Sequence, residues 1–206
     1  MLPKTSREPA ADRSGGLHPL VAAAARGELP EWSVAGAARR EHMGRVAALL
    51  GEWASALGLA RDDQARWRAA GYLHDALRDE RADVLRDQVP PSARDLPGPV
   101  LHGPAAAERL RREGVDDAEI LAAVASHTTG GAGLPMLAHA LYAADYLEPG
   151  RTYGADVHAA LRSRMPGDLE AVVRDVAGER MTRALQSRRP IHPDTLALWN
   201  ELAARP

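Results

Sequence analysis

Cysteine is absent from the chain, which removes disulfides, thiolate zinc sites and cysteine nucleophiles together. Lysine occurs once, at Lys4, near the start. A phosphate-loop lysine or a Schiff-base lysine is thereby excluded in practice. No Gly-x-Ser-x-Gly elbow is present either, so the usual serine-hydrolase turn is missing. No apolar run approaches the roughly 20 residues of a membrane span, and the first residues lack the continuous apolar stretch of a secretory leader. The expectation is a cytoplasmic protein without a membrane partner. Net charge is only −2, so no overall basic field points to nucleic acid. Phenylalanine is missing and β-branched residues are sparse, while alanine, leucine and arginine dominate. That composition favours helix, and 206 residues suffice for one sizeable core.

Residues 1–16 are polar and rich in Pro, Gly and Ser, which reads as a flexible tail. Residues 17–36 read as a helical extension, with a short helix from Leu17 to Arg26. The pattern shows no internal repeat and no second domain. A long helix is expected from about Trp32 to Leu57, with Val46, Leu49, Leu50, Trp53 and Leu57 marking its buried face. A second is expected from Asp62 to Leu77, capped by Asp62 or Asp63. Later helices are expected from His102 to Arg112 and from Asp116, paired with Glu119 as a capping box, to His127. A nearly all-apolar helix should run from Pro135 to Leu147.

Polar side chains stand out in these apolar runs. His74 and Asp75 lie side by side near the end of the second helix, where burial is costly unless a cation pairs with them. His42 falls on the apolar face of the first, four residues before Val46. His102, His127 and Asp145 follow. The intervals from His42 through His74, His102 and His127 to Asp145 are 32, 28, 25 and 18 residues, each about one helix plus a connection. One imidazole or carboxylate per helix, converging on a bundle core, is how helical proteins build metal sites. A metal ion is the simplest partner for Asp145, with Arg151 or Arg39 as the alternative. His102 opens a helix with Gly103 and Pro104, a favourable place for an anion. Arg188 and Arg189 precede the last helix and suit bidentate phosphate binding.

The full set resembles the HD superfamily of metal-dependent phosphohydrolases. Four segments narrow the resemblance to its symmetrical bis(5′-nucleosyl)-tetraphosphatase branch. They are Arg39-Arg40-Glu41-His42, His127-Thr128-Thr129-Gly130, the stretch from Ala144 to Arg151, and the stretch from Pro190 to Leu196. The resemblance implies an all-α helical bundle with the metal site in its core, over residues 37–206. It implies hydrolysis of diadenosine tetraphosphate to two ADP, with a small dinucleoside polyphosphate as partner and an arrangement compatible with a homodimer. The alternatives are a related phosphohydrolase acting on a guanosine alarmone or a nucleoside monophosphate, and a nucleotide-binding regulator without turnover. By the family pattern His42, His74, Asp75 and Asp145 hold iron, with manganese or another divalent metal as the substitute. A second ion would sit between Asp75, His102 and His127, which are also the catalytic candidates. Arg39, His102, His127, Thr128, Arg151, Arg188, Arg189, Ile191 and His192 would line the nucleotide. Arg78 stands where the family often carries lysine, and Gly150 where it often carries asparagine.

Overall fold

A computed structural model describes residues 16–205. The tail expected over residues 1–16 therefore lies outside the described residues, apart from Gly16. Ten α-helices follow one another, and no strand occurs among the described residues. They are α1 (Pro19–Ala25), α2 (Ala37–Ala56), α3 (Arg61–Leu73), α4 (Ala82–Gln88), α5 (His102–Arg112), α6 (Ala118–Ser126), α7 (Met136–Leu147), α8 (Ala155–Arg164), α9 (Leu169–Gln186) and α10 (Pro193–Ala203).

Helix α7 is the axis of the bundle. Every residue from Leu137 to Leu147 is buried, as an apolar run of leucine and alanine on all faces requires. It packs against α2, α3, α6, α8 and α9. Around it, α2 lies on α3, α1 covers α3, α5 lies on α6, and α9 lies on α10. Fully buried Leu50, Leu73, Leu110, Leu141 and Leu147 tie these layers into one core. Each such leucine contributes about 1.5–3 kcal/mol relative to exposure.

The α2–α3 contact depends on a small residue. A Cβ at Gly71 would lie 2.5 Å from the Ala47 Cα, so only glycine lets the two backbones approach this closely. That approach sets the distance between His42 on α2 and His74 at the end of α3.

Two helix limits differ from the sequence expectation, for one tertiary reason. Helix α3 stops at Leu73, and α2 starts only at Ala37. The segment before α2 runs extended against the turn after α3. Val34 N donates to Ala76 O at 2.7 Å, Asp79 N donates to Val34 O at 3.2 Å, and Ser33 Oγ donates to Ala76 O at 3.0 Å. These bonds compete with helical continuation on both sides. Caps also shift. Ala60 precedes α3, with Asp62 and Asp63 in its first turn. Asp117 rather than Asp116 caps α6, accepting from Glu119 N and Ile120 N.

Candidate metal centre and substrate cavity

Five histidine and aspartate positions from separate helices, plus Asp75 beside His74, meet at one end of α7. All six are buried. His42 comes from the buried face of α2. His74 caps α3, and its Nδ1 donates to Gly71 O at 2.8 Å. His102 opens α5, His127 caps α6, and Asp145 lies near the end of α7. His127 Nδ1 donates to Val124 O at 2.8 Å. A ring nitrogen facing a carbonyl carries the proton, so the Nε2 lone pairs of His74 and His127 both point into the cluster.

The distances define two overlapping groups. His42 Nε2 lies 3.2 Å from Asp145 Oδ1 and 3.7 Å from Asp75 Oδ2. His74 Nε2 lies 3.5 Å from Asp75 Oδ2. On the other side, Asp75 Oδ1 is 3.0 Å from His102 Nε2 and 3.4 Å from His127 Nε2. The two ring nitrogens of His102 and His127 are 3.0 Å apart. Asp75 thus faces both groups with one oxygen each. His42, His74 and Asp145 form one set of candidate metal donors, and His74, Asp75 and His127 form another, with donor atoms within 4.8 Å of one another in each.

The donor chemistry fits a divalent cation. Nε2 of His42 and Nε2 of His74 are both buried without a hydrogen bond, a costly state for a polar atom unless a cation takes up the lone pair. Imidazole and carboxylate donors without thiolate suit first-row divalent metals.

Electrostatics keep the carboxylates charged. Burial alone would raise Asp75, but His74, His102 and His127 hold it well below the usual carboxylate range. Burial opposes ionisation of Asp145 as well. His42, Arg151 and Arg180 outweigh it and hold this carboxyl well below its ordinary value. Burial lowers His74 to about 4, and it also lowers His102. His42 resists burial because Asp145, Glu148 and Asp75 surround it, and it rises above 6.5.

A cavity of about 560 Å³ opens onto this cluster, within the size range of small-molecule sites. Asp75, His102, His127, Thr128 and Asp145 form its floor side, and Arg39, Arg78, Arg151, Arg180, Arg183 and Arg189 stand in its wall. Six guanidinium groups against two carboxylates make it a receptor for a polyanion. Ile191 and His192 also line it, with Val100, Met181 and Pro190 as apolar surface. Arg188 does not; it is exposed, at a left-handed turn with φ of 52°.

Of the two arginine partners considered for Asp145, only Arg151 reaches it, and Arg39 pairs with Asp75 instead. Arg151 Nη2 donates to Asp145 Oδ1 at 2.6 Å, and Arg39 Nη1 donates to Asp75 Oδ2 at 2.7 Å. Two further residues escape the sequence reading. Arg180 on α9 donates to Asp145 Oδ2 at 3.1 Å and to Thr128 O at 3.0 Å. Glu148, just past α7, approaches His42 Nδ1 at 3.2 Å. A signal for Arg180 existed, since it falls three or four residues after buried Val176 and Ala177 on the apolar face of α9.

A helical bundle whose histidines and aspartates converge in this order defines a class, and the chain belongs to the HD domain family, whose profile matches residues 39–150. It is similar to the symmetrical bis(5′-nucleosyl)-tetraphosphatase of Halalkalibacterium halodurans, with 30% identity over 74% of this chain and 86% of that protein. The protein of the same name from Bacillus subtilis is 28% identical over 69% of this chain and 78% of its own length. A crystal structure from Clostridium acetobutylicum, described as a predicted HD superfamily hydrolase involved in NAD metabolism, superposes with a TM-score of 0.73. It shares 23% identity and covers 83% of this chain and 92% of its own, which establishes the likeness of fold.

Proposed function

We propose that the chain is a metal-dependent hydrolase that cleaves diadenosine tetraphosphate symmetrically into two ADP. The observation that carries the reading is the cavity itself, where six arginines surround a buried cluster with two unpartnered imidazole nitrogens. The relatives' names supply the substrate. His42, His74, Asp75 and Asp145 would hold the ion, which we assign as iron. His102 and His127 would contact phosphate or, with Asp75, hold a second ion.

When bound, the metal supplies Lewis acidity at a phosphoryl oxygen and acidifies water to near neutral pH. The chain's own contribution is positioning and charge. Phosphoryl transfer needs little covalent help from protein and much electrostatic stabilisation. Arg39 and Arg151 already reach the two aspartates and stand between cluster and cavity, so phosphate oxygens can exchange onto their remaining N–H groups. Arg189 anchors the nucleotide further out, next to Ile191 and His192. Burial lowers His102 and favours its neutral form, which offers one N–H to an equatorial oxygen.

The reading is tested with a nucleotide panel on the metal-replete protein, containing diadenosine tetraphosphate, a guanosine tetraphosphate alarmone and a nucleoside monophosphate. It expects the highest kcat/KM on the dinucleotide. Faster turnover of either other substrate would move the chain to another phosphohydrolase activity, and binding without turnover would make it a regulator.

A further inference from the structure

The site as described leaves Glu148 without a role. It is the residue that leaves α7, it is buried at 3% exposure, and it is not among the residues that line the cavity. A buried carboxylate is costly unless its oxygens are satisfied. Here both are. Oε1 lies 3.2 Å from His42 Nδ1. Oε2 accepts from Arg45 Nε at 2.6 Å and from Gly150 N at 2.7 Å. The charged Arg45 guanidinium and the Gly150 N–H both donate to Oε2, the contact pattern of a carboxylate, so Oε1 accepts and His42 presents Nδ1 as a donor.

The arrangement is sterically matched. Arg45 lies one turn after Glu41 on α2, with its guanidinium against the chain at Gly150. A Cβ at position 150 would fall 2.5 Å from both Arg45 Nε and Nη2, closer than any side chain can sit. Any residue larger than glycine there forces the guanidinium to shift.

We propose that Glu148 is a positioning residue of the metal centre, fixing His42 through an Arg45–Glu148–His42 chain of hydrogen bonds for which Gly150 leaves the space. With Nδ1 protonated and tied to Glu148, the His42 ring can neither flip nor change tautomer, and Nε2 stays aimed at Asp145 and His74. A carboxylate behind a ligating histidine also raises the basicity of the ring. The inference rests on the reading of His42 as a metal ligand.

The test uses the full chain stripped of metal and titrated with zinc(II), a diamagnetic probe. Glu148→Ala is expected to weaken zinc binding tenfold to a hundredfold. Glu148→Gln, which keeps an acceptor for Nδ1–H, restores part of the loss. Gly150→Ala and Arg45→Met are each expected to weaken binding by less, and the double variant no more than the stronger single one, because both break the same contact. In the zinc-loaded protein with 15N-labelled histidine, the His42 resonance is expected to report a protonated Nδ1. That signature is lost in Glu148→Ala. Unchanged zinc affinity in Glu148→Ala, or a lowered melting temperature with unchanged affinity, overturns the proposal while leaving the metal assignment intact. Full affinity in Gly150→Ala overturns the steric coupling even if Glu148→Ala does not fold. No zinc binding by the wild-type chain overturns the metal reading and this inference together.

Discussion

Arg180 on α9 and Asp145 on α7 are joined at 3.1 Å, and the arginine lies 4.4 Å from the ring centroid of Tyr142 and 5.0 Å from that of Tyr146. The pair links the outer helix to the floor of the site. Asp145 is held from one side by Arg151 and from the other by Arg180, so without metal its charge depends on two guanidiniums together with His42.

Arg180→Ala should therefore destabilise the metal-free chain more than the metal-loaded one. A charge-assisted hydrogen bond contributes about 1.5–3 kcal/mol, and a bound cation would replace much of what is lost. Thermal denaturation with and without divalent metal measures the difference. Equal destabilisation in both forms would mean that Asp145 does not face the ion.

Asp75→Asn should abolish turnover while leaving the fold intact. The amide keeps the volume but cannot serve both groups of histidines as an anion, and the Arg39 contact at 2.7 Å weakens with it. Circular dichroism, metal content and kcat together check this. Near-normal kcat would remove Asp75 from the required set.

The metal-free chain should lose stability as pH falls from 6.5 toward 4. Burial lowers His74 to about 4 from its ordinary 6.5, so the unfolded chain binds the proton first. Its contribution is complete above pH 6.5 and is lost on the way down to 4. His102, lowered mainly by burial, acts in the same direction. His42 is raised, so its contribution has the opposite sign: complete below 6.5 and lost as pH rises through its folded value. Denaturant unfolding at pH 7, 6 and 5 should show the slope, and His74→Gln should flatten it by up to about 1.4 kcal/mol per pH unit. A His74→Gln chain with the wild-type slope would contradict this.

Much of this site was legible because it violates the pattern around it. His42, His74, Asp75 and Asp145 are polar side chains in apolar helical runs, and their one-per-helix spacing implies convergence. Arg180 was obscured by its neighbours: α9 also carries Arg174, which lies beside Asp175 away from the cavity, and Arg183 at the cavity wall, and only the register against Val176 and Ala177 marks Arg180 as the one facing Asp145. Glu148 was hidden because it sits between a helix end and Pro149, where a charged residue is unremarkable. The end of α3 at Leu73 carries no glycine or proline signal. It is imposed by the backbone of Val34 bonding to Ala76 and Asp79, a contact between residues over forty positions apart that no local pattern encodes.

Arg189→Ala should lower kcat/KM about tenfold to a hundredfold without loss of metal. It removes one charge-assisted contact from the cavity wall and touches none of the donors. Steady-state kinetics with metal analysis separate the two effects. Metal loss, or unchanged kinetics, would place the nucleotide elsewhere.

The central claim concerns which phosphoanhydride breaks. If Arg189, Ile191 and His192 anchor one nucleoside and Arg39 and Arg151 hold its two phosphates, the second phosphorus from that nucleoside meets the His and Asp cluster. Cleavage there divides the molecule into equal halves. The direct measurement is chromatography of the early products from diadenosine tetraphosphate with the metal-replete chain. ADP as the sole nucleotide product is the predicted result; equal amounts of ATP and AMP would place the anchor one phosphate away and contradict the symmetrical assignment.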